Sequence, residues 1–573
     1  MKHIRLLLFM SLLLSVLVAC GDSTSDTPSQ DQGGATNNAL VVRMLYGSEK
    51  QSWIEAVTAQ FNAQQIPSTE GRPIFIEAVP MGSAESLDLI MSGQDQPVIW
   101  SPASKILLPL ANDAWSQSHS GEDLVETDPP LLVLSPVVIA MWKPMAEALG
   151  WPDDPIGWAD IAAFTQSGQS WADLGGEAFW GDFQFGHTHP DYSNSGITSI
   201  LATVYAGVSQ ERGSTVTSGL QVADVQDAAV ADFLADVEAG IIHYGRSTGF
   251  FAEQMFNRGP GYLSAAVLYE NLVIEAYDQT KYPNLPLDVV AIYPVEGTFW
   301  SDHPFAILNA PWVTDELRVA AEAYRDFLLA PEQQQQALQY GFRPSSVDIP
   351  IGAPLIEANG VDPTQPQTLL DVPNADVIRA IRDLWGENKK PVEIQVILDT
   401  SGSMDEERRL ARAREALTIF INNLADNDYL GIVTFSEQAT ELTPLSAIGP
   451  KRADVVQSVS SLFPQGGTRL IDTVDEVYRA MQQEPAGERI RAIVVLSDGD
   501  DTDSLGSVSD LTQLLQQDES GQSIKVFTIA YGTGTDVDVE LMQAIATASG
   551  AKSYIRVPPA EIEQVYRDIA TFF

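Results

Sequence analysis

Cysteine is almost absent from this sequence, since Cys20 is the only one among 573 residues. A single thiol cannot form an intramolecular disulfide, and it cannot supply a zinc site built from several cysteines. The stability of the chain must therefore come from packing. The hydrophobic content of 45% is normal for a globular protein. The length predicts roughly three or four compact units.

Positive charge is also scarce, with 32 Lys and Arg against 77 Asp and Glu, which gives a net charge of −45. Such a chain offers no basic face to nucleic-acid phosphates, so a nucleic-acid partner is excluded. The acidic balance favours solubility and attracts cations and basic partners. It is equally typical of an acidic extracytoplasmic surface, which is the simpler explanation.

Motifs of covalent and phosphoryl-transfer catalysis are missing as well. The sequence contains no nucleophile elbow, no phosphate-binding loop and no cysteine nucleophile. Paired aspartates near a metal could in principle hydrolyse a phosphoester. Such hydrolysis is not favoured here, because the candidate metal ligands of the last third are mostly hydroxyls and Arg469 is the only basic residue beside them. We therefore predict that the protein is not an enzyme.

The N-terminal apolar run Leu6–Ala19 follows Lys2 and Arg5 and is too short to span a membrane. This pattern predicts a signal peptide over residues 1–19. The run closes on Leu-Val-Ala-Cys, which resembles the lipobox of bacterial lipoproteins. The resemblance implies that Cys20 is lipidated and anchors the chain to the cell membrane. Residues 20–38 are rich in Ser, Thr, Asp, Gln and Gly and predict a flexible tether.

A buried strand with an oxygen-rich end lies near the start of the last third. Glu393–Met404 reads EIQVILDTSGSM, in which an apolar β-branched run ends in Asp399, Ser401 and Ser403. Thr468 follows two glycines, and Asp498 ends a second apolar run, AIVVLSD. Hard oxygen ligands of this kind suit a hard divalent cation. Asp and Ser also cap helices, which is the alternative interpretation for any one of them.

The ordered pattern Asp399-x-Ser401-x-Ser403, Thr468, Asp498 resembles the metal-ion-dependent adhesion site (MIDAS) of the von Willebrand factor A (VWA) family. The resemblance covers residues 389–573 and implies a three-layer α/β sandwich. It implies Mg²⁺, with Mn²⁺ or Ca²⁺ as alternatives, and a protein partner that donates a carboxylate to the metal. The nearby Asp500, Asp501 and Asp503 are interpreted as a solvated acidic loop.

The middle of the chain alternates strands and helices from Leu40, which predicts a parallel, doubly wound α/β sheet. Small polar residues recur where strands end, as in Gly47-Ser48 and in Trp100–Ser104 (WSPAS). With His187–Gly196 and Tyr340–Ser346, these junctions resemble bacterial extracellular solute-binding proteins of ABC transporters. The resemblance implies two lobes around a ligand cleft.

The predicted domain is 39–388, with lobe one at 39–135 and 305–388 and lobe two at 140–302. The cleft is predicted to bind a small polar solute through one carboxylate and several hydroxyls. Its candidate residues are Ser48, Ser83, Ser101, Ser104, Ser193, Ser195 and Glu270. Helix capping is the alternative role of each serine. His187 and His189 are interpreted as loop or cleft-lining residues rather than metal ligands.

All eleven tryptophans lie at or before Trp385, which marks a domain boundary before a short polar joint. The sequence thus predicts a membrane-anchored extracytoplasmic binding protein. Its solute-binding-like region precedes a VWA domain that binds protein through a metal, and the predicted role is adhesion, sensing or complex assembly. The alternative is a substrate-binding component of an ABC-type transport system that uses the VWA domain for docking.

Overall fold

The computed structural model of the chain describes residues 38–484, 489–498, 500–516, 524–532, 537–549, 551–570 and 572. The predicted signal peptide, Cys20 and the tether up to residue 37 lie outside these residues. Among the described residues, no helix combines the length and the apolar character needed to cross a bilayer.

A four-stranded sheet forms the first lobe. The chain begins it with β1 (Leu40–Gly47), α1 (Gln51–Ala63), β2 (Ile74–Met81), α2 (Ser83–Met91), β3 (Ile99–Ser101) and α3 (Leu107–Ser118). Strand β1 is parallel to β2 and to β3, and the sheet order is β2-β1-β3 followed by one later antiparallel strand. The polar residues that follow β1 and β3 therefore lie at one edge of the sheet.

A second, mixed sheet is built around one long buried strand, β4. Its elements are β4 (Val133–Trp142), α4 (Lys143–Ala148), α5 (Trp158–Ser167), β5 (Phe185–Gly186), α6 (Asn194–Arg212), α7 (Val222–Val225), α8 (Ala228–Glu238), α9 (Thr248–Arg258), β6 (Ala265–Tyr269), α10 (Glu270–Glu275), β7 (Val289–Ile292) and β8 (Trp300–Ser301). Strand β4 pairs antiparallel with β6, β7 and β8. Val133 belongs to the core of the first lobe, whereas Val137–Trp142 pack with β6 and β7, so the chain passes from one lobe to the other within β4.

After β8 the chain returns to the first lobe and then leaves it again. The elements are β9 (Ala306–Ile307), α11 (Asp315–Leu328), α12 (Pro331–Gln339), β10 (Arg343–Pro344) and α13 (Ala375–Asn388). Strand β9 completes the first sheet, whereas β10 pairs with β4 and α13 packs on α6, α7 and α8. The end of the predicted first-lobe range 305–388 therefore packs on the second lobe, because the apolar face of α13 is buried there.

The C-terminal domain has a six-stranded sheet in the order β13-β12-β11-β14-β15-β16. Its elements are β11 (Val392–Asp399), α14 (Arg409–Asn423), β12 (Tyr429–Phe435), β13 (Ala439–Ala447), α15 (Arg452–Ser460), α16 (Leu470–Gln483), β14 (Ile490–Ser497), α17 (Val508–Gln516), β15 (Lys525–Tyr531), α18 (Val539–Ala548), β16 (Ser553–Val557) and α19 (Ile562–Ala570). All pairings are parallel except β12 with β13.

Every residue of β11 and β14 is buried, so these two strands form the centre of this domain. Ile394 and Val396 of β11 belong to the core that includes residues of α14 and α19. Ile397 belongs to a second core, with residues of α16, α17 and α18. The sheet therefore has helices on both faces, which is the three-layer sandwich that the sequence predicted.

Candidate functional site

The five predicted metal ligands come from three segments at one edge of the C-terminal sheet. Strands β11 and β14 are parallel neighbours, with Leu398 opposite Leu496. Their carboxyl ends therefore lie side by side, and Asp399 and Asp498 stand at those ends. Both aspartates are completely buried.

Hydrogen bonds join four of these five residues in one chain. Asp399 accepts from the Ser401 backbone N–H at 2.7 Å and from the Ser497 hydroxyl at 2.6 Å. The Ser401 and Ser403 hydroxyls lie 3.0 Å apart, and Ser403 donates to an Asp498 carboxylate oxygen at 2.7 Å. The spacing of two in the sequence thus places both hydroxyls between the two carboxylates.

Thr468 is brought to the same place by its backbone. The Gly402 N–H donates to the Gly466 carbonyl at 3.1 Å, which joins the Thr468 loop to the loop of the two serines. On its other side, the Thr468 carbonyl accepts from the N–H groups of Thr502 and Asp503 at 2.9 and 3.0 Å. The third predicted segment is therefore fixed between the other two.

Arg409, the first residue of α14, also lies at this site, which the sequence did not predict. Its guanidinium donates to Asp498 at 2.8 Å, and both side chains are buried. Arg469, the basic residue noted from the sequence, instead pairs with Asp472 and Glu476. An arginine-rich start of the helix was visible in the sequence, but nothing indicated which arginine turns inward.

The electrostatics of the site fit a bound cation. Burial, together with the nearby charge of Asp498, raises the pKa of Asp399 to about 6. Two buried carboxylates and only one guanidinium, that of Arg409, leave negative charge that a cation would compensate. The described residues hold no cluster of three or more His, Cys, Asp or Glu side chains suited to a metal. Serine and threonine hydroxyls would therefore complete the ligand set, and hard oxygen atoms suit Mg²⁺.

The acidic loop that follows has a structural role at one position. Asp501 accepts from the Ile471 N–H at 2.7 Å and from the Ser504 N–H at 2.9 Å. This carboxylate therefore holds the start of α16 and the loop together. Asp500 and Asp503 are exposed, as the interpretation of a solvated acidic loop expects.

The predicted solute residues of the first lobe mostly make local structural bonds. Ser83 accepts from the Ala103 N–H at 3.0 Å, and Ser104 accepts from the Ile106 N–H at 3.2 Å. Ser48 accepts from the Gly249 N–H at 3.2 Å, so it joins the two lobes. Ser101 differs from these serines, because its hydroxyl is buried without a hydrogen-bond partner.

Ser193 and Ser195 belong to a buried hydroxyl network in the second lobe. Ser195 lies 2.6 Å from the Thr188 hydroxyl and accepts from Thr248 at 2.8 Å. Ser193 lies 3.2 Å from the same Thr248 hydroxyl. The carbonyl oxygen of the neighbouring Asn194 side chain is buried and has no partner. The Ser101 hydroxyl, at a predicted cleft residue, and this oxygen, next to two of them, are thus both buried without a partner among the described residues.

Glu270 has a different role from the one predicted. Both of its oxygens accept from the Arg343 guanidinium, at 2.7 and 2.8 Å, and the Tyr293 hydroxyl also donates to it. The carboxylate is therefore engaged in a buried ion pair rather than being available to a solute. Arg343 lies in the Tyr340–Ser346 stretch that the sequence analysis used, but its pairing depends on β10 joining the second sheet.

A second buried ionic cluster, which the sequence analysis missed, occupies the junction of the lobes. Lys50 donates to Glu49 at 2.8 Å, and the His303 ring lies 3.1 Å from the Lys50 ammonium. Burial opposes ionisation of Glu49, but Lys50 and His303 lower its pKa to about 2. The Asn271 side chain of the second lobe donates to the Glu49 carbonyl at 3.1 Å. These contacts hold the lobes together.

The histidine pair is part of the core. His187 lies 2.9 Å from a Glu238 oxygen, and the His189 ring packs against Trp385 with centroids 4.9 Å apart. Burial lowers the pKa of His189 to about 3. Both imidazoles therefore make contacts within the core of the second lobe and with α13.

Arg246 connects three parts of the molecule. It lies in the second lobe, pairs with Glu85 of α2 in the first lobe, and pairs with Asp568 of α19 at 2.5 Å. A cavity of about 240 Å³ next to it is lined by both lobes and by Lys552 of the C-terminal domain. The sequence indicated a short joint between the domains but not this contact.

More than half of the chain, residues 55–358, matches the family model of bacterial extracellular solute-binding proteins. The chain therefore belongs to that family. Residues 393–568 match the model of the von Willebrand factor type A domain, and the C-terminal domain is a VWA domain. These matches confirm the predicted fold class of a two-lobed binding-protein fold followed by a VWA sandwich.

Relatives share these two parts at low identity. Uncharacterized protein Rv1836c of Mycobacterium tuberculosis is 24% identical over 482 residues, which cover 79% of this chain and 64% of that protein. Among solved structures, a von Willebrand factor type A protein from Catenulispora acidiphila is 25% identical, covers 32% of this chain and 43% of its own, and has a TM-score of 0.28. A periplasmic thiamin binding protein is 12% identical, covers 62% and 97%, and has a TM-score of 0.42.

Proposed function

We propose that this protein is a membrane-anchored, non-enzymatic binding protein whose VWA domain binds a carboxylate of a protein partner through a divalent cation, for adhesion, sensing or complex assembly. The observation that carries the proposal is the hydrogen-bonded chain from Asp399 through Ser401 and Ser403 to Asp498. The site residues are these four and Thr468. Mg²⁺ is the proposed ion, with Mn²⁺ or Ca²⁺ as alternatives.

The chemistry follows from the charge of the donors. A cation held mainly by neutral hydroxyls keeps excess positive charge and attracts one further anionic oxygen. Asp399 fixes the backbone of Ser401 by accepting from its N–H, and Asp498 fixes the hydroxyl of Ser403 by accepting from it. Arg409 fixes the orientation of Asp498 from the side opposite to Ser403.

Calorimetric titration of the full chain with MgCl₂ tests this site. We expect one binding event that is lost in Thr468→Ala and in Ser401→Ala, because each removes a proposed ligand. Ser458→Ala is the matched control, since that hydroxyl is exposed on α15 and bonds only to the Asp454 carbonyl in this structure. Equal Mg²⁺ binding by all four proteins, or none by the wild type, contradicts the proposal.

The transport function remains the second candidate, and a specific observation favours a solute. The hydroxyl of Ser101 and the Asn194 side-chain oxygen are buried without partners in stretches predicted to face the cleft. Buried polar atoms are normally satisfied, so a small polar solute with hydrogen-bonding groups would fit there. Mass spectrometry of small molecules released from natively purified protein tests it. A stoichiometric solute supports the cleft, and its absence favours adhesion alone.

Anchoring through Cys20 is part of the same proposal. It is supported by the sequence motif that ends at this cysteine. A Cys20→Ser variant is expected to leave the membrane fraction and to lose labelling by a radioactive fatty acid. Unchanged fractionation of that variant would contradict the anchor while leaving the proposals about the VWA domain intact.

A further inference from the structure

A cavity of about 290 Å³ lies between the second lobe and the VWA domain, and we call it the interdomain cavity. A cavity of about 150 Å³ is enough to hold benzene, so this one has room for one or two fused rings. Its walls are largely aromatic. The rings that line it include those of His243, Phe251, Tyr262, Phe527 and Phe572.

Contacts between these rings fix their orientation. The His243 ring stacks on Phe572 with centroids 4.5 Å apart and on Tyr262 with centroids 5.1 Å apart. Phe251 meets the His243 ring edge to face at 5.5 Å, and Phe527 meets Phe572 in the same way at 4.7 Å. Both domains thus contribute ordered rings to one cavity, and such walls favour a flat aromatic ligand.

Two polar atoms in these walls are buried without a hydrogen-bond partner in the described part of the chain. They are Nε2 of His243 and the hydroxyl of Tyr262, and the two residues are only 2% and 9% exposed. Buried polar groups normally have a hydrogen-bond partner. These two atoms therefore indicate where a ligand in the cavity would make its hydrogen bonds.

The protonation of His243 decides which group that ligand must present. Its Nδ1 lies 3.1 Å from the Tyr244 carbonyl, which can only accept, so Nδ1 carries the hydrogen. Burial lowers the pKa of this imidazole to about 3, so the ring is neutral at pH 7. Nε2 is then a hydrogen-bond acceptor, and the ligand must supply an N–H or O–H donor.

The charges around the cavity favour an anion, in contrast to the acidic balance of the whole chain. Its lining has three cations, Arg246, Arg258 and Lys552, and one carboxylate, Asp568, which pairs with Arg246. Lys552 is exposed, so it stands at the mouth of the cavity, with its ammonium 4.3 Å from the centroid of the Tyr554 ring. This ammonium forms no hydrogen bond or ion pair with the residues that the structure describes. It is therefore placed to bind an anionic group of a ligand.

We infer that the interdomain cavity binds a small aromatic anion that carries one N–H or O–H donor. The ring of this ligand packs between the aromatic walls, its donor bonds to His243 Nε2, and its anionic group pairs with Lys552. The Tyr262 hydroxyl makes a further hydrogen bond to the ligand. This site is separate from the candidate metal site and from the cleft between the lobes, because it is lined by the second lobe and the VWA domain.

Calorimetric titration of the full chain with indole-3-acetate tests this inference, because this molecule combines two fused rings with one N–H and one carboxylate. We expect one molecule per chain, with a Kd below about 1 mM. Its N-methyl derivative lacks the donor and should bind about tenfold more weakly. Its amide lacks the charge and should bind about fivefold more weakly. The affinity should be equal in MgCl₂ and in EDTA, since the cavity is lined by residues other than the candidate metal ligands.

Variants with matched controls identify the binding residues. Lys552→Gln should bind the acetate and its amide equally, because the charge that distinguishes them is gone. Lys451→Gln removes another exposed cation of the VWA domain and should keep the wild-type preference. Tyr262→Phe should weaken binding about fivefold without lowering the free energy of unfolding, since its hydroxyl loses no partner among the described residues. Tyr282→Phe removes another buried hydroxyl of the second lobe that lacks such a partner, and it should bind like the wild type.

Hydrogen exchange then shows whether the probe lies between the domains. Saturating indole-3-acetate should slow exchange in α9 of the second lobe and in α19 of the VWA domain together, because both helices line the cavity. Protection of one helix alone would overturn the inference, and so would wild-type binding by both Lys552→Gln and Tyr262→Phe. Absence of binding up to about 1 mM would also overturn it, and would leave the proposed function of the metal site standing.

Discussion

At the scale of single residues, the buried charges of this protein are arranged in pairs. Glu270 is bonded to Arg343 through both oxygens, and Glu49 is bonded to Lys50 at the junction of the lobes. Burying a charge is costly, and its partner offsets the cost only when the geometry is good. Removing one member of a buried pair therefore lowers the free energy of unfolding more than removing an exposed pair does, because it leaves an uncompensated buried charge.

The Glu270 pair gives a direct test of this argument. Arg343→Met is expected to lower the free energy of unfolding by about 3–5 kcal/mol, because Glu270 stays buried without its cation. Urea denaturation followed by circular dichroism measures the effect. Arg325→Met is the control, since Arg325 forms an exposed pair with Asp326 and should change stability by less than about 1 kcal/mol. Similar losses in both variants would refute the structural role of the buried pair.

His243 makes the stability of the protein depend on pH. It is buried against Phe572, with centroids 4.5 Å apart, where the second lobe meets the VWA domain. Burial lowers the pKa of this imidazole to about 3; its ring nitrogen bonds to the Tyr244 carbonyl, and Lys525 and Arg258 lie nearby. The unfolded chain therefore takes up a proton first when the pH falls below about 6.5. Stability that is present above this pH is lost on acidification.

The expected loss from His243 between pH 7 and pH 5 is about 2 kcal/mol. Other buried histidines contribute as well, so the useful quantity is the difference between the wild type and His243→Phe. We expect the variant to lose about 2 kcal/mol less than the wild type over this interval in urea denaturation. His119→Phe, which changes a histidine stacked on Trp115 of the first lobe, is the control. Parallel pH profiles of wild type and His243→Phe would contradict the assignment.

At the scale of helices and strands, the sequence was sufficient to predict the two strands that end at the candidate metal site. Apolar runs that end in Asp399 and Asp498 predicted two buried strands, and parallel pairing then brings their ends together. The position of Arg409 could not be predicted. Glu407 and Arg408 adopt positive φ angles of 47° and 60°, so α14 starts only at Arg409. Nothing in the sequence signals this turn, because neither residue is a glycine.

The loop between β14 and α17 depends on one carboxylate of a neighbouring helix. Asp472 is in the first turn of α16 and accepts from two N–H groups of that loop. Asp472→Ala is expected to speed amide hydrogen exchange at Leu505 and Gly506 by about tenfold or more, since a bond to a charged group contributes about 1.5–3 kcal/mol. Mass spectrometry of exchanged peptides measures it.

The control for the loop is Asp475→Ala, three residues further along α16. Asp475 pairs with Arg479 at the surface and makes no bond to the part of the loop that the structure describes. We expect no change in exchange at residues 504–506 in this variant. Equal acceleration in both variants would mean that the helix as a whole, rather than Asp472, holds the loop.

At the scale of the whole molecule, the three-layer sandwich of the C-terminal domain was predicted, but the second sheet was not. The β-α order predicted a parallel, doubly wound sheet, whereas β4 pairs antiparallel with β6, β7 and β8. The change in tryptophan content indicated a domain boundary, and the resemblance to solute-binding proteins implied the two lobes. The packing of α13 on the second lobe depends on its apolar face, which would fit either lobe. The joint after α13 is also bonded to the second lobe, because Lys390 donates to the Ala239 and Ile241 carbonyls at 3.3 and 3.2 Å. Such long-range contacts have no local signal.

Arg246 is the residue through which the lobes and the VWA domain are connected. It pairs with Glu85 of the first lobe and with Asp568 of α19, and both carboxylates are largely buried. If the lobes separate, Arg246 must leave Glu85, and the electrostatic environment of Asp568 changes with it. Burial raises the pKa of Asp568 even with Arg246 present, so this carboxylate depends on its cationic neighbours. Closure of the lobes and docking of the VWA domain are therefore expected to be coupled.

Arg246→Ala is expected to loosen both contacts at once, because it leaves two partly buried carboxylates without a cation, at a cost of about 3–5 kcal/mol for a fully buried pair. Hydrogen exchange should accelerate in α2 and in α19 together. Arg379→Ala is the control, since Arg379 forms exposed pairs with Asp113 and Asp376. Faster exchange in α19 with α2 unchanged would show that Arg246 only docks the VWA domain. Coordinated acceleration would show that one guanidinium holds both the first lobe and the VWA domain against the second lobe.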